Sequence, residues 1–468
     1  MFLSIENFIG SRFLALQENG DTISYHEIVE FCEKIKKIVP PRSLVFSLCR
    51  NTIGSLAGYV AFLSEGIVPL LISSQLEQGL LEYLMKTYRP NYLWIPAEQK
   101  DKFDGEFVFE KFGYILMHCS SEKLILHKDL ALLLTTSGST GSPKLVRQTY
   151  KNIEENAKSI AAYLELDDTE RPITTLPMNY TYGLSVINSH LLVGATVLLT
   201  ETSYAQKGFW DFFKRDKATS LAGVPYTYEI LKKIRFFGMD LPSLRYMTQA
   251  GGKLIPDLHK EFAEYAKNKG IRFYVMYGQT EATARMSYLP YEKSLEKYGS
   301  MGIAIPGGKF YLHDVEGHKI TSPNVAGELI YEGPNVTPGY AECIRDLSKG
   351  DERNGVLETG DIAKFDKDGY YYIVGRLKRF LKIYGNRVNL DECERMVQER
   401  FDGLECACVG VDDHMNIFIT KKEYMDEVQQ FIMEKTGLNK RAFKVFCVDE
   451  IPKNDSGKKQ YKLLQCDI

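Results

Sequence analysis

Stretches that read as buried strands alternate along this chain with stretches of helical spacing, and such alternation admits little except a layered α/β architecture with a largely parallel sheet. In residues 25 to 38, YHEIVEFCEKIKKI, the apolar Ile28, Phe31, Ile35 and Ile38 recur at helical spacing, and LVFS from Leu44 follows as a strand. Gly54 to Ser64 suits a helix packed through small residues, VPLLI from Val68 a buried strand, Leu76 to Tyr88 a helix and NYLWIP the next strand. Further strands are expected at Ile173 to Leu176, Thr196 to Thr200, Ser220 to Val224, Arg245 to Thr248 and Arg272 to Met276, with helices between them. Thr149 or Asn152 is placed to cap a helix whose Ile153, Ala157, Ile160, Ala161 and Leu164 share one face. No repeat of fixed period and no low-complexity tract breaks the pattern.

With 468 residues the chain exceeds what a single core serves, so two or more domains are expected. Lys and Arg number 58 against 61 Asp and Glu, a net charge of -3, which argues against a nucleic-acid or anionic-membrane footprint. No apolar run is long enough to cross a membrane, and MFLSIENF reaches Glu6 too early for a secretory signal, so a cytoplasmic protein is expected. The nine cysteines are scattered without a C-x-x-C pair and read as reduced structural thiols.

Chemistry is first suggested by Ala131 to Thr149, ALLLTTSGSTGSPKLVRQT, where a small, hydroxyl-rich loop sits between two β-type runs. Gly138 and Gly141 leave backbone N–H groups open to an anion; Thr136, Ser137, Ser139 and Thr140 add hydroxyl donors, and Lys144 adds a charge. The order Gly-Lys-Ser/Thr opening a helix is absent, which excludes the P-loop of nucleotide hydrolases. A flexible serine and glycine linker is the plainer reading, but linkers seldom join two buried strands.

Three later clusters bear on that loop. In YVMYGQTEA, a strand ends at Tyr277, Gly278 turns the chain, and Thr280 and Glu281 follow; a carboxylate at the C-terminal edge of a parallel sheet, beside a phosphate loop, is suited to Mg²⁺. In the second cluster Asp361 follows a glycine, and Arg376 ends the aromatic strand Tyr370 to Val374, so that the two could clamp a ribose. Taken alone, each is more often a surface salt-bridge residue. The third is IPKNDSGKK, from Ile451, whose lysines would ordinarily be solvated.

Together and in this order, these segments resemble the adenylate-forming superfamily of acyl-CoA and aryl-CoA synthetases, luciferase and peptide-synthetase adenylation domains. The matching residues are TTSGSTGSPK from Thr135, YGQTEA from Tyr277, GELIYEGPNVTPGY from Gly327, ETGD from Glu358, GRLKRFLKIYGNRV from Gly375 and PKNDSGK from Pro452, with weaker matches at AGGKL from Ala250 and PMNYTYGL from Pro177. The resemblance implies a large N-terminal α/β domain of layered sheets and helices with a smaller β subdomain, residues 1 to 376, and a small α+β C-terminal lid, residues 377 to 468, hinged near Lys378. It implies an ATP-dependent acid:thiol ligase, which joins a small carboxylic acid to AMP and then passes the acyl group to coenzyme A or to the phosphopantetheine of a separate carrier protein.

By the same resemblance the loop Thr136 to Lys144 would hold the outer phosphates, Tyr277 would stack on adenine beside Gly278, and Gly251 and Gly252 would line the base and acyl pockets. Thr280 would touch the α-phosphate, Glu281 would hold Mg²⁺, and Asp361 and Arg376 would bind the ribose. Lys458 would bridge the carboxylate and the α-phosphate, and Tyr180, Thr181, Val224, Ala250 and Gly251 would line the acid's pocket.

Two departures bear on substrate. Tyr180 stands where many acyl-CoA synthetases carry a histidine, and Thr181 where amino-acid-activating domains place an aspartate for the α-ammonium. Without that carboxylate an ammonium would be buried unpaired, so an acid lacking a free α-amine is favoured. A D-alanine-type ligase acting on a carrier protein and a non-catalytic nucleotide-binding relative remain as alternatives. Arg285, four residues after Glu281, is either an ordinary salt-bridge residue or a contact for a second acidic group on the substrate.

Overall fold

The computed structural model describes all residues except 11, 136–143, 384–385, 412, 437, 454–458 and 465–468. Two compact units emerge from it, one of Met1–Lys309 with Tyr331–Leu357 and one of Phe310–Ile330 with Glu358–Ile468.

In the first unit the helix Ile53–Ser64 is buried from Ile53 to Leu63, on every face. A helix without a polar side needs apolar partners all round. It finds them in the strands Leu44–Cys49 and Val68–Ser73 and in the helix Tyr25–Ile38, and Trp94 donates from Nε1 to the Gly54 carbonyl at 2.9 Å. Helix Tyr25–Ile38 has the expected bounds and begins in a capping box between Ser24 and Glu27.

Two sheets are layered with these helices. In one, the strands Tyr92–Pro96, Leu44–Cys49, Val68–Ser73 and Leu130–Thr135 run parallel, and antiparallel strands extend both edges. In the other, Phe13–Gln17, Val197–Leu199, Pro172–Ile173, Ser220–Gly223, Tyr246–Gln249 and Arg272–Tyr277 are parallel neighbours in that order. One apolar cluster draws on both sheets and on the helices Tyr25–Ile38, Ile53–Ser64, Tyr150–Leu164 and Thr181–Leu192. The α/β class read from the sequence is the class observed.

The strand expected over Ile173 to Leu176 is shorter, because Thr175 Oγ1 donates to the Ala222 carbonyl and Leu176 accepts from Asn51 Nδ2 at 3.1 Å. Those bonds turn the chain toward helix Thr181–Leu192. Thr149 does cap helix Tyr150–Leu164, and Asn152 returns the bond to the Thr149 N–H.

Most of a five-stranded sheet belongs to the second unit, and its strands Val356–Phe365 and Tyr371–Arg376 pair antiparallel. It also holds a hairpin of Phe380–Ile383 with Asn386–Asn389, and a three-stranded sheet of Cys406–Val411, His414–Ile419 and Phe443–Cys447. The helices Leu390–Arg400 and Met425–Thr436 share an apolar core with the hairpin and that sheet. Among the described residues no helix is long and apolar enough to cross a membrane.

Candidate active site

Residues 136–143 of the expected phosphate loop lie outside the described residues, as does Lys458. The strands flanking the loop, Leu130–Thr135 and Leu145–Thr149, pair antiparallel with Thr135 opposite Leu145. The described chain after the loop is thus a strand of the same sheet and not a helix, in keeping with the exclusion of a P-loop. Lys144, at the loop's far end, pairs with Glu342 at 2.5 Å, and its ammonium lies 5.7 Å from the ring of Tyr340.

Tyr340 connects that lysine to Glu281. Its hydroxyl donates to Glu281 Oε1 at 2.7 Å, while burial and the neighbouring carboxylate push its own ionisation upward, so it remains a donor near neutral pH. The Glu281 carbonyl accepts from the Thr337 N–H at 3.0 Å and from Thr337 Oγ1 at 2.9 Å, and Asn335 Nδ2 donates to the Ala282 carbonyl at 2.8 Å. The turn Thr280–Ala282 is thus held by the segment Asn335 to Tyr340. These supporting residues stand inside GELIYEGPNVTPGY, but spacing alone gave no sign of what each one grips.

After the turn, Thr283 has φ 65° and ψ -54°, and the Ala284 N–H reaches back to the Ala282 carbonyl at 2.7 Å. This is a γ-turn of the rare, strained hand. The Thr283 carbonyl accepts from Thr181 Oγ1 and from Gln148 Nε2, and its hydroxyl donates to the Asn335 carbonyl at 2.7 Å. Gly278 has no room for a side chain, because an added Cβ would stand 1.8 Å from the Ala284 carbonyl oxygen. Beside it the Tyr277 carbonyl accepts from the Met286 N–H at 2.9 Å, and Gln279 Nε2 donates to the Tyr277 hydroxyl at 3.0 Å.

The residues expected to line the acid's pocket converge. Gly251 has φ +82°, and a Cβ there would lie 2.6 Å from the Tyr180 hydroxyl and 3.1 Å from Val224 Cγ1. Ala250 donates its N–H to the Gly223 carbonyl at 3.2 Å, and Gln249 Nε2 donates to the Gly252 carbonyl at 2.8 Å. Burial pushes the Tyr180 phenol up to about 12, so it is neutral at pH 7. Gly251→Ala is expected to cost about 1–2 kcal/mol through the left-handed backbone alone. It should also raise the KM for the acid by narrowing the space beside Tyr180, as thermal unfolding and acid titration would check.

A contiguous path therefore runs from Gly251 and Val224 through Tyr180 and Thr181 to Thr283, and on through Glu281 and Tyr340 to Lys144. Asp361 and Arg376 belong to the second unit. They stand opposite one another in the ladder, with Arg376 Nε 3.3 Å from Asp361 Oδ1. On either side of residues 454–458, Lys453 and Lys459 form an antiparallel bridge, and the Gln460 N–H donates to the Pro452 carbonyl at 2.8 Å. Arg285 is buried and has no carboxylate partner among the described residues, so the salt-bridge reading of it fails.

The model of the AMP-binding enzyme family matches residues 12–341. The chain belongs to that family. It is 30% identical over 360 residues to an oxalate–CoA ligase of Arabidopsis thaliana, across 74% of this chain and 69% of the relative. It is 26% identical over 433 residues to a 2-succinylbenzoate–CoA ligase of a Geobacillus species, across 89% and 85%. The O-succinylbenzoate coenzyme A synthetase of Bacillus subtilis, solved in complex with AMP, shares the fold with a TM-score of 0.79 at 21% identity, covering 100% of this chain and 98% of that one. As a member of the family this chain is an enzyme, an ATP-dependent, AMP-forming acid:thiol ligase.

Proposed function

We propose that the enzyme activates a small carboxylic acid without an α-amine, seated along Tyr180, Thr181, Val224, Ala250 and Gly251, and transfers the acyl group to coenzyme A. The reading is carried by the path that links this wall to the Glu281 turn through Thr181 and Thr283. Thr181 contributes no charge for an ammonium, and its hydroxyl is already committed to the Thr283 carbonyl. That counts against an amino-acid substrate of the D-alanine kind. Coenzyme A is preferred to a carrier protein as acceptor because the similar enzymes named above are CoA ligases.

In this reading Tyr277 and Gly278 receive adenine, with Gly252 between the base and the acid. Thr280 meets the α-phosphate, and the loop 136–144 holds the outer phosphates. Glu281 suits Mg²⁺: its Oε1 is oriented by Tyr340, its Oε2 has no hydrogen bond among the described residues, and a hard carboxylate oxygen beside phosphates is the donor this ion takes. Magnesium bound there would supply positive charge to the phosphates of ATP. Asp361 and Arg376 hold the ribose, and a lid of residues 377–468 turns about Lys378 to bring Lys458 to the carboxylate.

Exchange of labelled pyrophosphate into ATP over a mixed acid library tests the reading, since it reports acyl-AMP formation whatever the acceptor. Exchange is expected with acids lacking an α-amine; silence with every acid rejects the proposal. Asp361→Asn is expected to raise the KM for ATP about 10-fold or more, as befits a lost hydrogen bond to a charged group. The KM for the acid should stay unchanged.

A further inference from the structure

We propose that Arg285 anchors a second carboxylate on the substrate, making this enzyme a ligase for diacids. The inference rests on the acid:thiol ligase reading and specifies its substrate class. Arg285 is 2% exposed. Its Nε donates to Ser185 Oγ at 3.1 Å, its Nη1 to the Tyr163 hydroxyl at 3.0 Å, and the guanidinium lies 5.2 Å from the ring of Tyr182. Nη1 also stands 3.5 Å from Met276 Sδ, while Nη2 has no hydrogen bond among the described residues.

Every titratable group that faces this cation is neutral near pH 7. Burial pushes the phenols of Tyr163, Tyr182 and Tyr246 upward, and it drives the His190 imidazole down to about 3. An arginine keeps its proton even when buried. Among the described residues this positive charge therefore has no carboxylate to balance it, an arrangement that is costly unless a charge arrives from outside. The free edge of a guanidinium matches a carboxylate in geometry as well as in sign.

The cation's position favours the acid as the source. Ser185 lines a small cavity of mixed polar and apolar residues together with Asn156, Thr181, Thr283 and Ala284, the residue that precedes Arg285. Asn156 and the Arg285 backbone exchange hydrogen bonds of 2.9 and 3.4 Å, which fixes the start of the arginine side chain against that wall. Thr181 joins the same cavity to Tyr180 and Gly251. An acid activated near Glu281 and lying along Tyr180 would present its far end to this side.

Matched pairs of acids test the proposal by pyrophosphate exchange: butanoate against butanedioate and pentanedioate, and benzoate against the benzenedicarboxylates. Wild type is expected to favour a diacid over its partner by about 100-fold or more in kcat/KM, because a site built to pair a charge rejects the analogue that lacks it. Arg285→Met should erase or reverse that ratio, with a thermal midpoint equal to or above wild type, and Arg285→Lys should recover part of it. If the Met variant does not fold, the Lys variant and the stabilisation of wild type by diacid alone carry the same comparison. Preference for monoacids, or an equal loss on both members of a pair in the variant, overturns the diacid assignment while leaving the ligase reading intact. Exchange with no acid at all overturns both.

Discussion

Lys458→Ala is expected to slow acyl-AMP formation by about 10³-fold or more while leaving the attack of a thiol on supplied acyl-AMP largely intact. The first half-reaction brings a carboxylate against an α-phosphate, so two anions must approach, and charge gathers on the phosphorus oxygens as the new bond forms. A cation aimed at those oxygens stabilises the transition state more than the bound reactants, and loss of one such donor typically costs 10²–10³ in rate. The second half-reaction needs no such approach. On either side of residues 454–458, Lys453 and Lys459 form an antiparallel bridge, and Lys453 is tied to Glu405 at 2.7 Å. Near-normal pyrophosphate release by the variant would show that the lysine does something else.

Glu394→Ala should unfold the C-terminal part of the chain at markedly lower denaturant. Glu394 is 4% exposed and serves four donors. Oε1 accepts from Arg379 Nη2 and from the Cys408 N–H at 2.8 Å, and Oε2 accepts from Lys459 Nζ at 2.5 Å and from the Tyr461 hydroxyl at 3.1 Å. One carboxylate thus fastens the segment just after Lys378, a helix, a strand and the chain's closing turn. Removing the anion strands two largely buried cations, of which, among the described residues, only Arg379 keeps another acidic partner, Asp391 at 2.7 Å. Breaking a buried pair from one side costs about 3–5 kcal/mol. An unfolding curve of the full-length variant superimposable on wild type would refute the role. Because Lys459 adjoins Lys458, Glu394→Gln should also slow acyl-AMP formation more than thiolysis.

What the sequence disclosed was whatever leaves a local trace. Helix Tyr25–Ile38 was legible because its apolar stripe and its cap lie within one short window, and the glycine after Tyr277 because the turn there has no space for a side chain. The hairpin Glu106–Lys111 with Tyr114–His118 went unread, since its outer strand is mostly exposed and shows no buried alternation. The grip of Tyr340 on Glu281 spans 59 positions and that of Lys459 on Glu394 spans 65, and no periodicity reports a partner at such separation. Arg285 was visible as a charge four residues past Glu281, but that no carboxylate among the described residues pairs with it could be learned only from its neighbours in space.

The helix Ile53–Ser64 also bears on how the protein is made. Its partners run from Phe2, whose ring meets Tyr59, to Asn188, whose Oδ1 accepts from the Tyr59 hydroxyl at 2.9 Å, so a nascent chain leaving the ribosome carries this apolar rod for a long interval before the helix Thr181–Leu192 emerges. Until then the rod offers sticky surface to other growing chains. Chaperone demand during synthesis should accordingly peak early, and truncations ending shortly before Thr181 should precipitate where longer fragments stay in solution.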